Sequence, residues 1–167
     1  MQSTTLLPLL GSIALVSPMA ALSQPITLQE TVVGLAQEMA QNASRLDARS
    51  NSRFIQDTTN VVYVSKGVPV TGKNYVRSLG EFYSKQKSIS WTWDKWEVTP
   101  IGLDAAVFTG LATIKGEPKE GKSWTEHAIF TQVFQKTPSG WKRIIAHKSL
   151  LESKLLRGDM VGSKPKR

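Results

Sequence analysis

His147 sits near the end of an apolar stretch, "SGWKRIIAHKSLL", that runs from Ser139 to Leu151. An imidazole in such a place is either a hydrogen-bonded structural group or an acid or base beside a cavity. Glu126 is the second candidate for chemistry: its carboxylate can take a proton itself or orient the imidazole. Arg143 and Gln132 offer polar contacts to a ligand, and the Tyr63 hydroxyl offers a donor to a carbonyl oxygen. Trp91, Trp93, Trp124 and Phe130 offer flat apolar contact area. This set suits the binding of a small, partly apolar molecule bearing a carboxylate or a carbonyl. Acid–base catalysis through His147 and Glu126 is an open alternative. A rival from another class is a structural or interaction module whose interior is filled by its own side chains.

Two strands must position most of these groups. If the turn Thr137-Pro138-Ser139-Gly140 sets Lys136 opposite Trp141, alternation sorts the side chains onto two faces. One face collects Trp124, Glu126, Ala128, Phe130, Gln132 and Phe134 with Trp141, Arg143, Ile145 and His147. The other collects Thr125, His127, Ile129, Thr131 and Val133 with Lys142, Ile144, Ala146 and Lys148. The first is richer in aromatics and is expected inside, which puts His147 at the rim of a concavity near Phe130. Glu126 and Arg143 must then pair, reach water or meet a ligand, because burying either alone is costly. His127 is expected to be exposed or at a subunit contact. The apolar strip Ile129, Thr131, Val133, Ile144 and Ala146 suggests homodimerisation through that outer face. A one-residue shift would exchange one strand's two sets.

Earlier in the chain, Thr27-Leu28-Gln29-Glu30 has capping-box spacing, and Leu28, Val32, Leu35, Ala36, Met39 and Ala43 recur with helical period. This predicts one long amphipathic helix to about Arg45, with a short second helical piece near residues 52–57 turning Phe54 and Ile55 inward. Val61 to Val64 and Val68 to Val70 flank Lys66-Gly67 and read as a hairpin. Gly72 opens a helix ending by Gln86, with Tyr75, Val76, Leu79, Phe82 and Tyr83 on one side. From Ile89 onward the pattern is of long strands separated by turns. The fold class is α+β.

The chain has 167 residues, 40% hydrophobic and 20% charged, enough for one domain with a real core. The apolar run Leu6 to Val16, followed by Pro18 and Ala21-Leu22-Ser23, reads as a signal peptide spanning residues 1–23. The domain then occupies residues 24–151, a basic tail occupies 152–167, and the compartment is periplasmic or secreted, without stable membrane insertion. With no cysteine and two histidines, a thiolate site is excluded and a metal centre is not expected. No cofactor is expected. The +8 formal charge is scattered rather than gathered on one face, which argues against nucleic acid as a partner.

The order of elements, the Gly67-Val-Pro-Val-Thr-Gly-Lys73 hairpin leading into a helix and the ending Gly140-Trp141-x5-His147-x-Ser149 resemble SnoaL-like domains of the nuclear transport factor 2-like superfamily. The resemblance covers about Gln29 to Leu151. It implies a cone-shaped, strongly curved antiparallel sheet packed on N-terminal helices, a pocket at the open end, and frequent dimerisation through the sheet's outer face. Function does not follow from it, because the superfamily hosts isomerases, cyclases, dehydratases and transport factors. Its ketosteroid isomerase-like members carry a carboxylate base at about the position of Tyr63 or Val64. No carboxylate lies between Asp57 and Glu81 here, and Arg143 occupies a position that is usually apolar.

Overall fold

A computed structural model of the protein describes residues 26–56, 60–65 and 67–151. The expected leader and basic tail lie outside the described residues. Helix α1 (Leu28–Ser44) begins at the capping box, with both reciprocal bonds between Thr27 and Glu30 formed. It buries Val32, Ala36, Met39, Ala40 and Ala43. Helix α2 (Ala48–Ser52) lies earlier than the sequence suggests, because the Asp47 side chain accepts from Ser50 N and starts the turn there. Phe54 and Ile55 do turn inward, from the bend after α2. Strands β1 (Val61–Ser65) and β2 (Val68–Thr71) form the small hairpin, and α3 (Gly72–Ser84) follows under a Thr71 cap. Four long strands complete the described residues: β3 (Gln86–Pro100), β4 (Ala105–Pro118), β5 (Trp124–Thr137) and β6 (Gly140–Leu150).

The six strands form one sheet in the order β2-β1-β6-β5-β4-β3. All neighbours are antiparallel except β1 and β6, which run parallel through Tyr63↔Ala146 and Val64↔His147. The sheet is therefore mixed, a correction to the all-antiparallel expectation. No tight turn joins β1 to β6, and the long connection through α3 and four strands leaves either direction open. The helices cover the sheet's inner face. Phe54, Phe108 and Phe134 pack against Val32, Ala36 and Met39, while Ala43, Tyr83, Ile89, Ile114 and Phe130 form a second cluster. Burying each phenylalanine contributes roughly 1.5–3 kcal/mol.

The turn after β5 sets Lys136 opposite Trp141, as the sequence suggests. Alternation then fails within a few residues. Phe134 pairs with Arg143, but Val133 pairs with Ile145, so Ile144 is the extra residue of a β-bulge. Beyond it every β6 side chain changes face. Ala146 and Lys148 join Gln132 and Phe130 on the inside, and Ile145 and His147 join Val133 and Thr131 on the outside. The expectation that Ile145 and His147 point inward and Ala146 and Lys148 outward is thus corrected by one inserted residue. The inner set of β5 stands as expected: Ala128, Phe130, Gln132 and Phe134 are buried.

Candidate functional site

A cavity of about 510 Å³ lies between the inner sheet face and the three helices. Met39, Ala40 and Ala43 of α1 and Asn51 of α2 form one wall; Tyr75, Ser78, Leu79, Phe82 and Tyr83 of α3 form another. The sheet contributes Tyr63, Trp91, Trp93, Ile114, Trp124, Glu126, Phe130, Gln132, Arg143 and Lys148. Eight of the nine residues expected at a site from the sequence therefore line it. The ninth, His147, is exposed on the opposite face of the sheet. Lys148 stands in its place, and only knowledge of the bulge would have found it.

The aromatic lining is built over β4, by rings from the strands on either side of it. Trp91 and Trp93 sit at alternate positions of β3, and their rings lie 5.1 and 5.5 Å from that of Phe130 on β5. Trp93 is fixed by its Nε1–H, which donates to Ala36 O at 3.1 Å. Two glycines of β4 make room for the indoles. A Cβ at Gly110 would meet the Trp93 ring at 2.8 Å, and one at Gly116 would meet the Trp124 ring at 2.2 Å. Both distances are well inside van der Waals contact, so a side chain at either glycine would displace its tryptophan.

Arg143 is the most unusual wall residue. It is 5% exposed, and its Nη1 donates to Gln132 Oε1 at 3.3 Å. Its guanidinium carbon lies 5.0 Å from the Tyr75 ring centroid and 5.8 Å from that of Tyr63. Nε and Nη2 are buried without a hydrogen-bond partner. These two N–H groups form one edge of the guanidinium, the parallel fork that matches a carboxylate. Among the described residues, Arg143 makes no ion pair. Its backbone position is fixed by the N–H, which donates to Phe54 O at 2.6 Å.

The sequence expectation left Glu126 and Arg143 free to pair with each other. Glu126 instead forms an ion pair with Lys148, which also lies 5.9 Å from the Phe130 ring centroid. The side chains of Lys148 and Glu126 are only 14% and 27% exposed. With these two charges balanced, the Arg143 guanidinium leaves the cavity wall with a net positive charge. The remaining polar lining is neutral. Asn51 Nδ2 donates to Met39 O at 3.3 Å and to the Tyr83 hydroxyl at 2.9 Å. Burial pushes the Tyr83 phenol well above its usual range, so it is a neutral hydroxyl.

On the outer face, the Thr113 hydroxyl donates to Asp94 Oδ2 at 2.7 Å and lies 3.0 Å from His127 Nδ1. With its proton given to Asp94, Thr113 accepts from His127, which fixes the Nδ1–H tautomer. His127 is half-buried there, on the side expected for it.

The whole described domain matches one family model. Residues 29–151 fit that of the calcium/calmodulin dependent protein kinase II association domain. The chain belongs to this family. The association-domain chain is similar in structure to a nuclear transport factor 2-like superfamily protein from Salmonella enterica serovar Typhimurium, at 13% identity, with a TM-score of 0.67 over 80% of this chain and 96% of that one. A candidate association-domain protein from Xanthomonas campestris superposes at a TM-score of 0.63, with 17% identity over 74% of this chain and 88% of that one. A candidate dehydratase of the same superfamily from Streptomyces avermitilis gives 0.64, with 23% identity over 74% and 96%. No curated protein sequence matches the chain. The nuclear transport factor 2-like fold expected from the sequence is present; the family matched is the association domain, and SnoaL-like remains a resemblance.

Proposed function

We propose that this association-domain chain is an exported pocket protein that holds a small, largely apolar molecule through a carboxylate. The observation that carries the reading is the open Nε/Nη2 edge of Arg143, a cation 5% exposed in a cavity wall. A buried cation without a counter-charge is destabilising, and a ligand carboxylate would relieve it with two charge-assisted hydrogen bonds. Trp91, Trp93, Trp124 and Phe130 would receive the apolar body, while Tyr63 and Gln132 flank the charged end. The reading includes export to the periplasm or outside the cell, with mature protein beginning near Gln24. His147 has no part in this pocket. Acid–base chemistry at the site would fall to Glu126 with Lys148.

Calorimetry with 3-phenylpropionate and its uncharged amide tests the reading. The acid should bind at least about tenfold more tightly than the amide. Arg143→Met should remove that preference. Equal binding of acid and amide, or no binding of either, refutes it.

A second reading, compatible with the first, is self-association through the outer sheet face. It is supported by the association-domain match and by Leu111, Ile129, Val133 and Ile145 facing outward, with Ile145 42% exposed. Ile129→Glu should turn a dimer into a monomer by light scattering, and a wild-type chain that is monomeric at micromolar concentration overturns it.

A further inference from the structure

Two other polar atoms of the cavity residues are buried without a partner, and they are of opposite kind. Asn51 Oδ1 is an acceptor on a residue 5% exposed; Trp91 Nε1 is a donor. The orientation of the Asn51 amide is fixed, because its Nδ2 donates to the Met39 carbonyl, which can only accept. Its oxygen therefore has no donor among the described residues. Trp91 differs from its neighbour in the same respect. The Trp93 Nε1–H is bonded to Ala36 O, whereas the Trp91 Nε1–H has no partner among the described residues.

Both residues belong to the part of the wall built around Tyr83. Asn51 holds the Tyr83 hydroxyl, and Trp91 packs on the cluster that contains Tyr83, Ala43 and Phe130. Arg143 packs against Tyr75 and Tyr63 instead. The cavity wall thus carries a charged donor fork, an orphaned acceptor and an orphaned donor.

We propose that the ligand is a hydroxylated aromatic carboxylate, with the carboxylate on Arg143 and the ring hydroxyl recognised by Asn51 Oδ1 and Trp91 Nε1. The class follows from the donor and acceptor inventory. A carbonyl or ether oxygen would satisfy only Trp91, and an ammonium only Asn51. A single hydroxyl donates one hydrogen bond and accepts another, so it answers both. The continuous apolar face that Trp91, Trp93 and Phe130 form by packing on one another accounts for the ring. This inference rests on the carboxylate reading above and adds the second polar group to it.

The test compares three probes by calorimetry on the full chain: 3-phenylpropionate and its 3-hydroxyphenyl and 4-hydroxyphenyl derivatives. At least one hydroxylated acid should bind about tenfold or more tightly than the parent, because a ligand without the hydroxyl leaves buried polar groups unmatched. Trp91→Phe keeps an aromatic ring and removes the N–H, and should cut that advantage several-fold. Asn51→Leu should abolish it. Because each ratio is measured within one variant, a general loss of folded protein cancels. Arg143→Met should weaken all three acids while keeping the ratio. If the parent binds through Arg143 but neither hydroxyl improves binding, or if the advantage survives both Trp91→Phe and Asn51→Leu, the hydroxyl assignment is wrong and the carboxylate reading stands. If no acid binds, both fall.

Discussion

Replacing Arg143 by methionine should weaken ligand binding and at the same time leave the empty protein at least as stable. The side chain is buried with Nε and Nη2 unpartnered, and each such donor costs about 1–3 kcal/mol. Methionine removes both. Against this, Gln132 Oε1 loses the Nη1 donor at 3.3 Å, a penalty of about 1–3 kcal/mol. The ring contacts at 5.0 and 5.8 Å are together worth about 1–2 kcal/mol. The balance for Arg143→Met is slightly favourable, about 0–1 kcal/mol. In the double variant Arg143→Met/Gln132→Leu the orphaned acceptor is also gone, and the gain should rise to about 2 kcal/mol. Urea unfolding at neutral pH measures it as a higher midpoint at unchanged slope. A stability gain combined with loss of the acid-over-amide preference identifies a group kept for its ligand. If the double variant is less stable than wild type by more than about 1 kcal/mol, Arg143 is a structural residue and the reasoning fails.

His147→Ala should leave the affinity for 3-phenylpropionate within about twofold of wild type, since the imidazole lies on the outer face; a tenfold loss in calorimetry would contradict that placement. Gly116→Ala should cost about 1–3 kcal/mol in urea unfolding and shift the tryptophan emission, because the new methyl group meets the Trp124 ring at 2.2 Å. An unchanged midpoint and spectrum would mean that the indole is not seated there. Tyr83 is held neutral by burial, its folded-state pKa raised. The stability this gives is fully present below about pH 10, the unfolded value, and is lost as pH rises toward the folded one. Tyr83→Phe should show a shallower fall in unfolding free energy above pH 10 than wild type, and parallel curves would refute the assignment.

Helices α1 and α3, the hairpin and the four long strands are legible because each announces itself locally, whereas α2 starts earlier, at Asp47. Thr27 and Glu30 form the capping box that their spacing suggests, and Gly67, at φ 75°, takes the left-handed conformation its turn needs. The inner face of β5 was legible for the same reason, since alternation between Ala128 and Phe134 is unbroken. What the sequence hid are departures from period two. Ile144 is a β-branched residue among β-branched residues, and nothing in its type marks it as the extra residue of a bulge. Consequently unbroken alternation puts His147 in the cavity and Lys148 outside it, the reverse of their places in the sheet. The parallel pairing of β1 with β6 was hidden too, because strand direction across a long connection leaves no local trace. Asn51 and Tyr83 escaped notice as site residues because their significance is a hydrogen bond between α2 and α3.

Among the described residues β6 is the last strand in chain order, yet it lies inside the sheet, between β5 and β1. The β1–β2 hairpin joins the sheet only through it, pairing residues 63–65 with 146–148. Such distant contacts form late, because a long loop must be closed before they give any return. During synthesis the hairpin therefore waits for the end of the domain, and the edge of β5 stays open until β6 arrives. Arg143 and Lys148 are both on this strand, so the cavity acquires its two cations in the step that completes the sheet. A ligand clasped between Arg143 and the α2 wall would stabilise contacts absent from the folding transition state. It should slow unfolding while leaving the folding rate almost unchanged.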